Sequence, residues 1–156
     1  MTILTGSTIR ERVVVTPQPT DEQYQPASLD VRLDNVVYDC EEDTYYEQDR
    51  FTFESFKRYL AQTKECIQLP TDVAAQLAGR STVGRMGIVI HKTAGWIDPG
   101  FTGTITLEIM NLSTEPITID ANTRIGQLVC MELNEDTLGY DGQYNDQQRP
   151  EPAGKL

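Results

Sequence analysis

Two arginines, two hydroxyls and two glycines fall within seven residues, Gly79–Arg85 (GRSTVGR), of the 156-residue chain. Glycine lets the backbone approach an anion, successive N–H groups and the Ser81 and Thr82 hydroxyls can bond phosphate oxygens, and the Arg80 and Arg85 guanidinium forks add charge-assisted bonds. The same composition also suits a plain turn with exposed arginines. Eight residues after Thr82, IHKTAGWIDPGFTG offers Ala94 and Gly95 as accessible backbone, Trp96 as an aromatic wall and Asp98 ahead of a Pro-Gly turn. A nucleoside site needs such parts: backbone for a base edge, an apolar wall and a carboxylate for a sugar hydroxyl. Asp98 is equally a turn former.

Past that turn, GTITLEIM alternates. Ile105, Leu107 and Ile109 share one face, and Thr104, Thr106, Glu108 and Met110 the other, so Glu108 is a carboxylate on the wet face of a half-buried strand. Wet-face glutamates are ordinary surface residues unless the rest of the chain gives them a task. His91 reads as a hydrogen-bonded structural histidine in a strand. Ser81, His91 and Asp98 formally make a Ser/His/Asp set, but nothing like a nucleophile elbow surrounds Ser81.

Bulk properties narrow the chemistry. A net charge of −11 repels a polyphosphate backbone, so no nucleic-acid partner is expected and any phosphate ligand needs local cations. Three cysteines without a C-x-x-C pair, and a single histidine, leave no structural zinc site. No apolar run approaches the roughly 18 residues that cross a bilayer, and the N-terminus lacks a charged leader with a long apolar segment. No membrane association and a cytoplasmic location are expected.

The elements that must hold these residues read as strands. Gly and Pro punctuate segments that alternate apolar and polar residues (LDVRL, NVVY, GTITLEI, PITI, IGQLVCMEL), the pattern of an all-β sandwich or barrel in one domain, 1–156. Two short helices are expected, STIRER with Ser7 as cap, and LPTDVAAQLAG with Thr71 as N-cap and Gly79 just past its end. The run Asp39–Phe51 reads as a solvated β excursion whose charges discourage edge pairing. The tail from Thr137 to Leu156 is polar and rich in Gly and Pro, and its composition alone spells disorder.

The order YQPASLDVRL, LAQTKECIQLPTDVAAQLAGRSTVGRMG, HKTAGWIDPGFTGTITLEIMN, RIGQL, QYNDQQ closely resembles the deoxycytidine triphosphate deaminase branch of the dUTPase-like superfamily, over nearly the whole chain. The resemblance implies a distorted jelly-roll-like β barrel and a homotrimer with active sites at subunit interfaces. It implies Glu108 as the catalytic carboxylate, Ser81 and Arg85 as holders of the attacking water and of Glu108, and Arg80 and Thr82 as triphosphate contacts. Ala94 matches a backbone contact to the base and Asp98 a contact to the deoxyribose 3′-hydroxyl, while Trp96, Ile97 and Gln127 lie in matching motifs and join the substrate-binding set. Residues 137–156 become a lid over the nucleotide, with Gln147, Tyr140 and Tyr144 as its contacts. Magnesium would ride on the triphosphate without a protein carboxylate cage.

The chain lacks the His/Cys/Cys or Cys₃ set and H-x-E signature of zinc nucleobase deaminases, so the resemblance leaves the reaction to Glu108. Gly95-Trp96, glycine followed by an aromatic, favours relatives that continue from dUTP to dUMP and pyrophosphate, which would give Asp98 a second role at the α-phosphorus. Glu108 and the QYNDQQRPEP tail depart from dUTPases that only hydrolyse dUTP. Gln143 stands where many relatives carry a lysine, one cation fewer at the phosphates. The alternatives are a pure dUTP pyrophosphatase, or a nucleotide-binding regulatory protein whose Asp39–Phe51 excursion contacts a partner.

Overall fold

The computed structural model describes residues 2–153; the last three residues of the expected lid lie outside them. Short edge pieces open the chain: β1 (Thr2–Ile3), helix α1 (Gly6–Arg12), β2 (Val14–Thr16), a 3₁₀ turn at Asp21–Gln23 and β3 (Tyr24–Gln25). Thr5, rather than Ser7, caps α1, since its hydroxyl accepts the Thr8 N–H at 3.3 Å while Ser7 is already helical. Arg12 ties the helix down by pairing with Asp72 at 2.5 Å and Glu132 at 2.7 Å.

The alternating segments become the long strands. LDVRL and NVVY merge into one strand, β4 (Ser28–Asp39), followed by β5 (Thr44–Glu47), β6 (Arg50–Phe53), β7 (Arg58–Gln68) and β8 (Val73–Gly79). Helix α2 (Ser81–Met86) precedes β9 (Ile88–Val89), β10 (Trp96–Ile97), β11 (Thr102–Asn111), β12 (Ile117–Asp120) and β13 (Arg124–Glu132). The main sheet runs β10-β8-β13-β4-β7-β11-β9, all antiparallel, and curls because β4 pairs with β13 through one half and with β7 through the other. The expected all-β jelly-roll-like architecture is present as a curled half-barrel.

LPTDVAAQLAG is a strand rather than the expected helix. Val73–Gly79 pairs residue for residue with β13, from Val73–Glu132 to Gly79–Gly126, and its far edge accepts β10. Ala74 and Ala75 are both fully buried, so this strand is covered on both faces and needs small residues there, which local helix signals cannot reveal. The second helix falls instead on STVGRM, closed by Gly87 at φ 100° as a left-handed cap.

Leu29, Val31, Leu33, Leu107, Ile109, Ile125 and Leu128 have no exposed surface and form the heart of the barrel. Each such side chain is worth about 1.5–3 kcal/mol of burial. Between the pairs Thr104–Cys66 and Thr106–Gln62, β7 runs four residues against two of β11. Within this stretch Glu65 lies on the buried face with Ala61, Thr63 and Ile67, and it accepts from Arg32 Nε at 2.6 Å, Arg32 N at 2.8 Å and Gln23 Nε2 at 2.9 Å. A carboxylate so deep persists only with its hydrogen bonds satisfied.

Candidate active site

β11 carries Glu108 as the alternation requires, half-buried between Leu107 and Ile109, which are fully buried. Its Oε2 accepts the backbone N–H of Lys92 at 2.8 Å, so the loop after β9 fixes the carboxylate's direction. That loop, rather than a strand, holds His91, and His91 Nδ1 is buried without a hydrogen-bond partner among the described residues. Gly95 is packed down instead of accessible: its carbonyl accepts Leu77 N–H at 2.7 Å, and a Cβ there would sit 2.9 Å from the Leu77 carbonyl oxygen and 3.1 Å from His91 Cε1. Only glycine fits, and the squeeze leaves Ala94 exposed beside it.

Asp98 forms the expected turn, and its side chain is tied to Trp96. Its carbonyl accepts the Phe101 N–H at 3.2 Å to close the turn, while its carboxylate Oδ1 accepts the indole N–H of the exposed Trp96 at 3.1 Å. A Cβ on Gly100, at φ 80°, would lie 2.8 Å from Gly139 Cα, so the turn and the tail meet backbone to backbone. Tyr140 N–H bonds the Pro99 carbonyl at 2.7 Å and its ring packs 6.0 Å from Phe101. Gln147 is buried, its carbonyl accepting Thr104 N–H at 3.0 Å and its amide bonding the Thr106 hydroxyl. The tail therefore runs along β11 toward Glu108.

These elements enclose a cavity of about 340 Å³. Ala94, Trp96, Ile97, Asp98 and Glu108 line it from the barrel, and Tyr140, Tyr144 and Gln147 from the tail. Sequence reasoning missed Leu60, Phe101, Thr106 and Glu151 in the same wall. Thr106 was within reach of the alternation, two residues before Glu108 on the same face; Leu60 arrives by cross-strand pairing with Glu108 and has no local signal. A second cavity of about 310 Å³ continues on the other side, sharing Leu60, Glu108 and Ala153, with Arg58, Lys92, Tyr38 and Cys40 in its wall. Burial pushes the Cys40 thiol above its ordinary pKa, which keeps it protonated and poorly nucleophilic.

The phosphate-type residues are elsewhere in the protomer. Arg80, Ser81, Thr82 and Gln127 line a separate cavity of about 330 Å³ with Asp30, which is 1% exposed. Asp30 Oδ2 lies 3.2 Å from Arg80 Nε and 3.3 Å from Arg124 Nη1, and Arg80 Nη1 donates to the Arg124 carbonyl at 3.2 Å. Burial pushes the Asp30 carboxyl above its usual range, and the two guanidinium groups pull it only part of the way back. Arg85 is exposed in the last turn of α2, without an ion-pair partner among the described residues. The chain thus gathers Ala94, Trp96, Ile97, Asp98, Glu108, Tyr140, Tyr144 and Gln147 around one cavity and leaves Arg80, Ser81, Thr82, Arg85 and Gln127 away from it.

Among the described residues the Glu108 cavity is lined by three carboxylates, Asp98, Glu108 and Glu151, and by neither Lys nor Arg. It suits a neutral ring and a sugar, with water activated by a carboxylate, and it lacks the charge to hold a triphosphate alone. Among the described residues no group of three or more His, Cys, Asp or Glu is arranged to hold a metal ion, and no helix is long and apolar enough to cross a membrane.

Known proteins bear on this geometry. Residues 3–133 match the dCTP deaminase-like family model. A curated relative from Acidothermus cellulolyticus, "dCTP deaminase, dUMP-forming", is 37% identical over 164 residues, covering 89% of this chain and 86% of its own. Among solved structures, the 2′-deoxycytidine 5′-triphosphate deaminase of Agrobacterium tumefaciens superposes with a TM-score of 0.72 at 23% identity, over 82% of this chain and 47% of that one. The native EIAV dUTPase does so at 0.57 and 18% identity, over 85% and 96%.

Proposed function

The chain belongs to the dCTP deaminase-like family, and we propose that it converts dCTP to dUTP and ammonia and carries the product on to dUMP and pyrophosphate. The observation that carries this reading is Glu108, held by the Lys92 N–H in the wall of a cavity whose other members suit a base and a deoxyribose. Glu108 takes a proton from the water that attacks carbon 4 of cytosine. It passes that proton to ring nitrogen 3, then carries the hydroxyl proton of the tetrahedral intermediate to the departing amine, so that water and cytosine become uracil and ammonia. Trp96 walls the nucleoside, exposed backbone at Ala94 reads the base edge, and Asp98 meets the 3′-hydroxyl.

Asp98 Oδ1 is engaged by the Trp96 indole, which leaves Oδ2 to position a second water against the α-phosphorus. Asp98→Asn is then expected to lower pyrophosphate release more than ammonia release, and equal losses would overturn this division of labour. Ser81, Arg85, Arg80 and Thr82 reach the nucleotide from a neighbouring protomer of a cytoplasmic homotrimer, with Gln127 beside them. That arrangement brings cations to the Glu108 cavity, whose described residues include none. Magnesium arrives on the triphosphate as part of the substrate, its sphere filled by phosphate oxygens and water, and residues 137–156 act as the lid.

The test is anion-exchange analysis of products after incubation of the protein with dCTP and magnesium. dUMP with pyrophosphate is expected; dUTP alone would remove the second step. Unchanged dCTP would sink deamination.

A further inference from the structure

The excursion Asp39–Phe51 has no part in the reaction above, yet it carries two adjacent exposed tyrosines, Tyr45 and Tyr46, on a strand that pairs with β4. Most of its polar groups are spent on bracing the excursion itself. Tyr38 hydroxyl donates to Asp43 at 2.5 Å, Tyr46 hydroxyl donates to Glu42 at 2.5 Å, and Lys57 holds Asp39 at 2.6 Å. The Tyr45 ring packs 4.9 Å from Tyr38, while its hydroxyl points away from the hairpin and donates to the Pro150 carbonyl at 2.9 Å, across 105 residues of sequence. The Arg149 guanidinium lies over the same ring at 5.9 Å. Pro150 is buried, and the three residues after it, Glu151, Pro152 and Ala153, line the two cavities that flank Glu108.

We propose that the β4–β5 hairpin is the dock that fixes the end of the tail across the Glu108 cavity, with Tyr45 as a positioning residue for the nucleotide. Upstream the tail is bonded at Tyr140, Asn145, Asp146 and last at Gln147 on β11, and Tyr45 supplies the next bond along. A segment pinned at Gln147 alone pivots there; pinned also at Pro150, it delivers Glu151–Ala153 to one place. A hydrogen bond from a rigid aromatic to a backbone carbonyl does this independently of tail side-chain identity. The role assigned to Tyr45 in binding rests on the reading of the Glu108 cavity as the nucleotide site, whereas the docking itself does not.

The test compares Tyr45→Phe with Tyr46→Phe, whose hydroxyl bonds Glu42 on the same hairpin. In full-length protein, Tyr45→Phe is expected to raise KM for dCTP about two- to tenfold, the worth of one neutral hydrogen bond, with kcat within about twofold. Hydrogen–deuterium exchange of the peptide spanning Gln147–Ala153 is expected to accelerate in Tyr45→Phe and stay unchanged in Tyr46→Phe. Unchanged exchange in Tyr45→Phe, or equal acceleration in both variants, overturns the dock. Faster exchange with an unchanged KM overturns the positioning role. If the unmodified protein turns over no dCTP, the functional reading fails, and the exchange comparison still decides whether the hairpin holds the tail.

Discussion

The Glu108 cavity and the Arg80–Arg85 segment are built on opposite terms. The first joins a strand, a loop clamped by Gly95 and a tail laid along β11, and its charged members among the described residues are all acidic. The second is a six-residue helix with exposed hydroxyls, beside a buried Asp30 that is paired with Arg80 and Arg124. One has the groups for a base and sugar, the other for phosphates. The protomer does not bring them together. On the proposed reading, a trimer interface would complete what a single chain leaves apart.

The hardest blow to the acidic half is Glu108→Gln. It keeps the shape and is expected to lower kcat about 10³-fold in ammonia release while dCTP binding by calorimetry stays within a few-fold; retained turnover would strip the cavity of its catalytic role. The separation itself is tested by mixing. Glu108→Gln and Arg85→Ala, each inactive alone, are expected to regain activity when co-refolded, with roughly a quarter of sites intact in random trimers. No recovery would place both residues in one protomer's site. For the cationic half, Arg80→Ala is expected to raise KM for dCTP about 10- to 100-fold, the worth of a charge-assisted contact, with less effect on a monophosphate.

The smallest effect concerns the support of the tail's dock. Burial alone would raise the Asp39 carboxyl, but Lys57 and the backbone N–H groups of Glu41 and Glu42 outweigh it and hold it below its ordinary pKa. A carboxyl depressed on folding contributes stability above its unfolded value, near 4, and loses that contribution as the pH falls through the folded one. Asp39→Asn is therefore expected to cost about 2 kcal/mol in urea unfolding at pH 7, a gap that narrows below about pH 4.

What the sequence made legible followed from period and order. Ile105, Leu107 and Ile109 against Thr106 and Glu108 needed only a count of two, and the turn at Asp98 needed only Pro-Gly. Ala74 and Ala75 were misread because helix propensity is local, while a strand between β13 and β10 is imposed by partners more than fifteen residues away. The helix at Ser81–Met86 hid inside a cluster that looked like a phosphate-binding turn, although Gly87 was available as its stop signal. The tail's order was invisible to composition, since much of its attachment uses backbone groups, at Tyr140, Gln147 and Pro150, which every sequence possesses.

The surplus in β7 sets a rule of parity for change in this barrel. Two extra residues against β11 leave every later side chain on its own side of the sheet, so Leu60 still faces the cavity across from Glu108. One residue more or fewer between Gln62 and Cys66 would turn the rest of the strand over, trading Leu60 for a neighbour that belongs to the opposite face. Insertions and deletions there can be survived in pairs and not singly, and a library of length variants at this point would divide into odd and even.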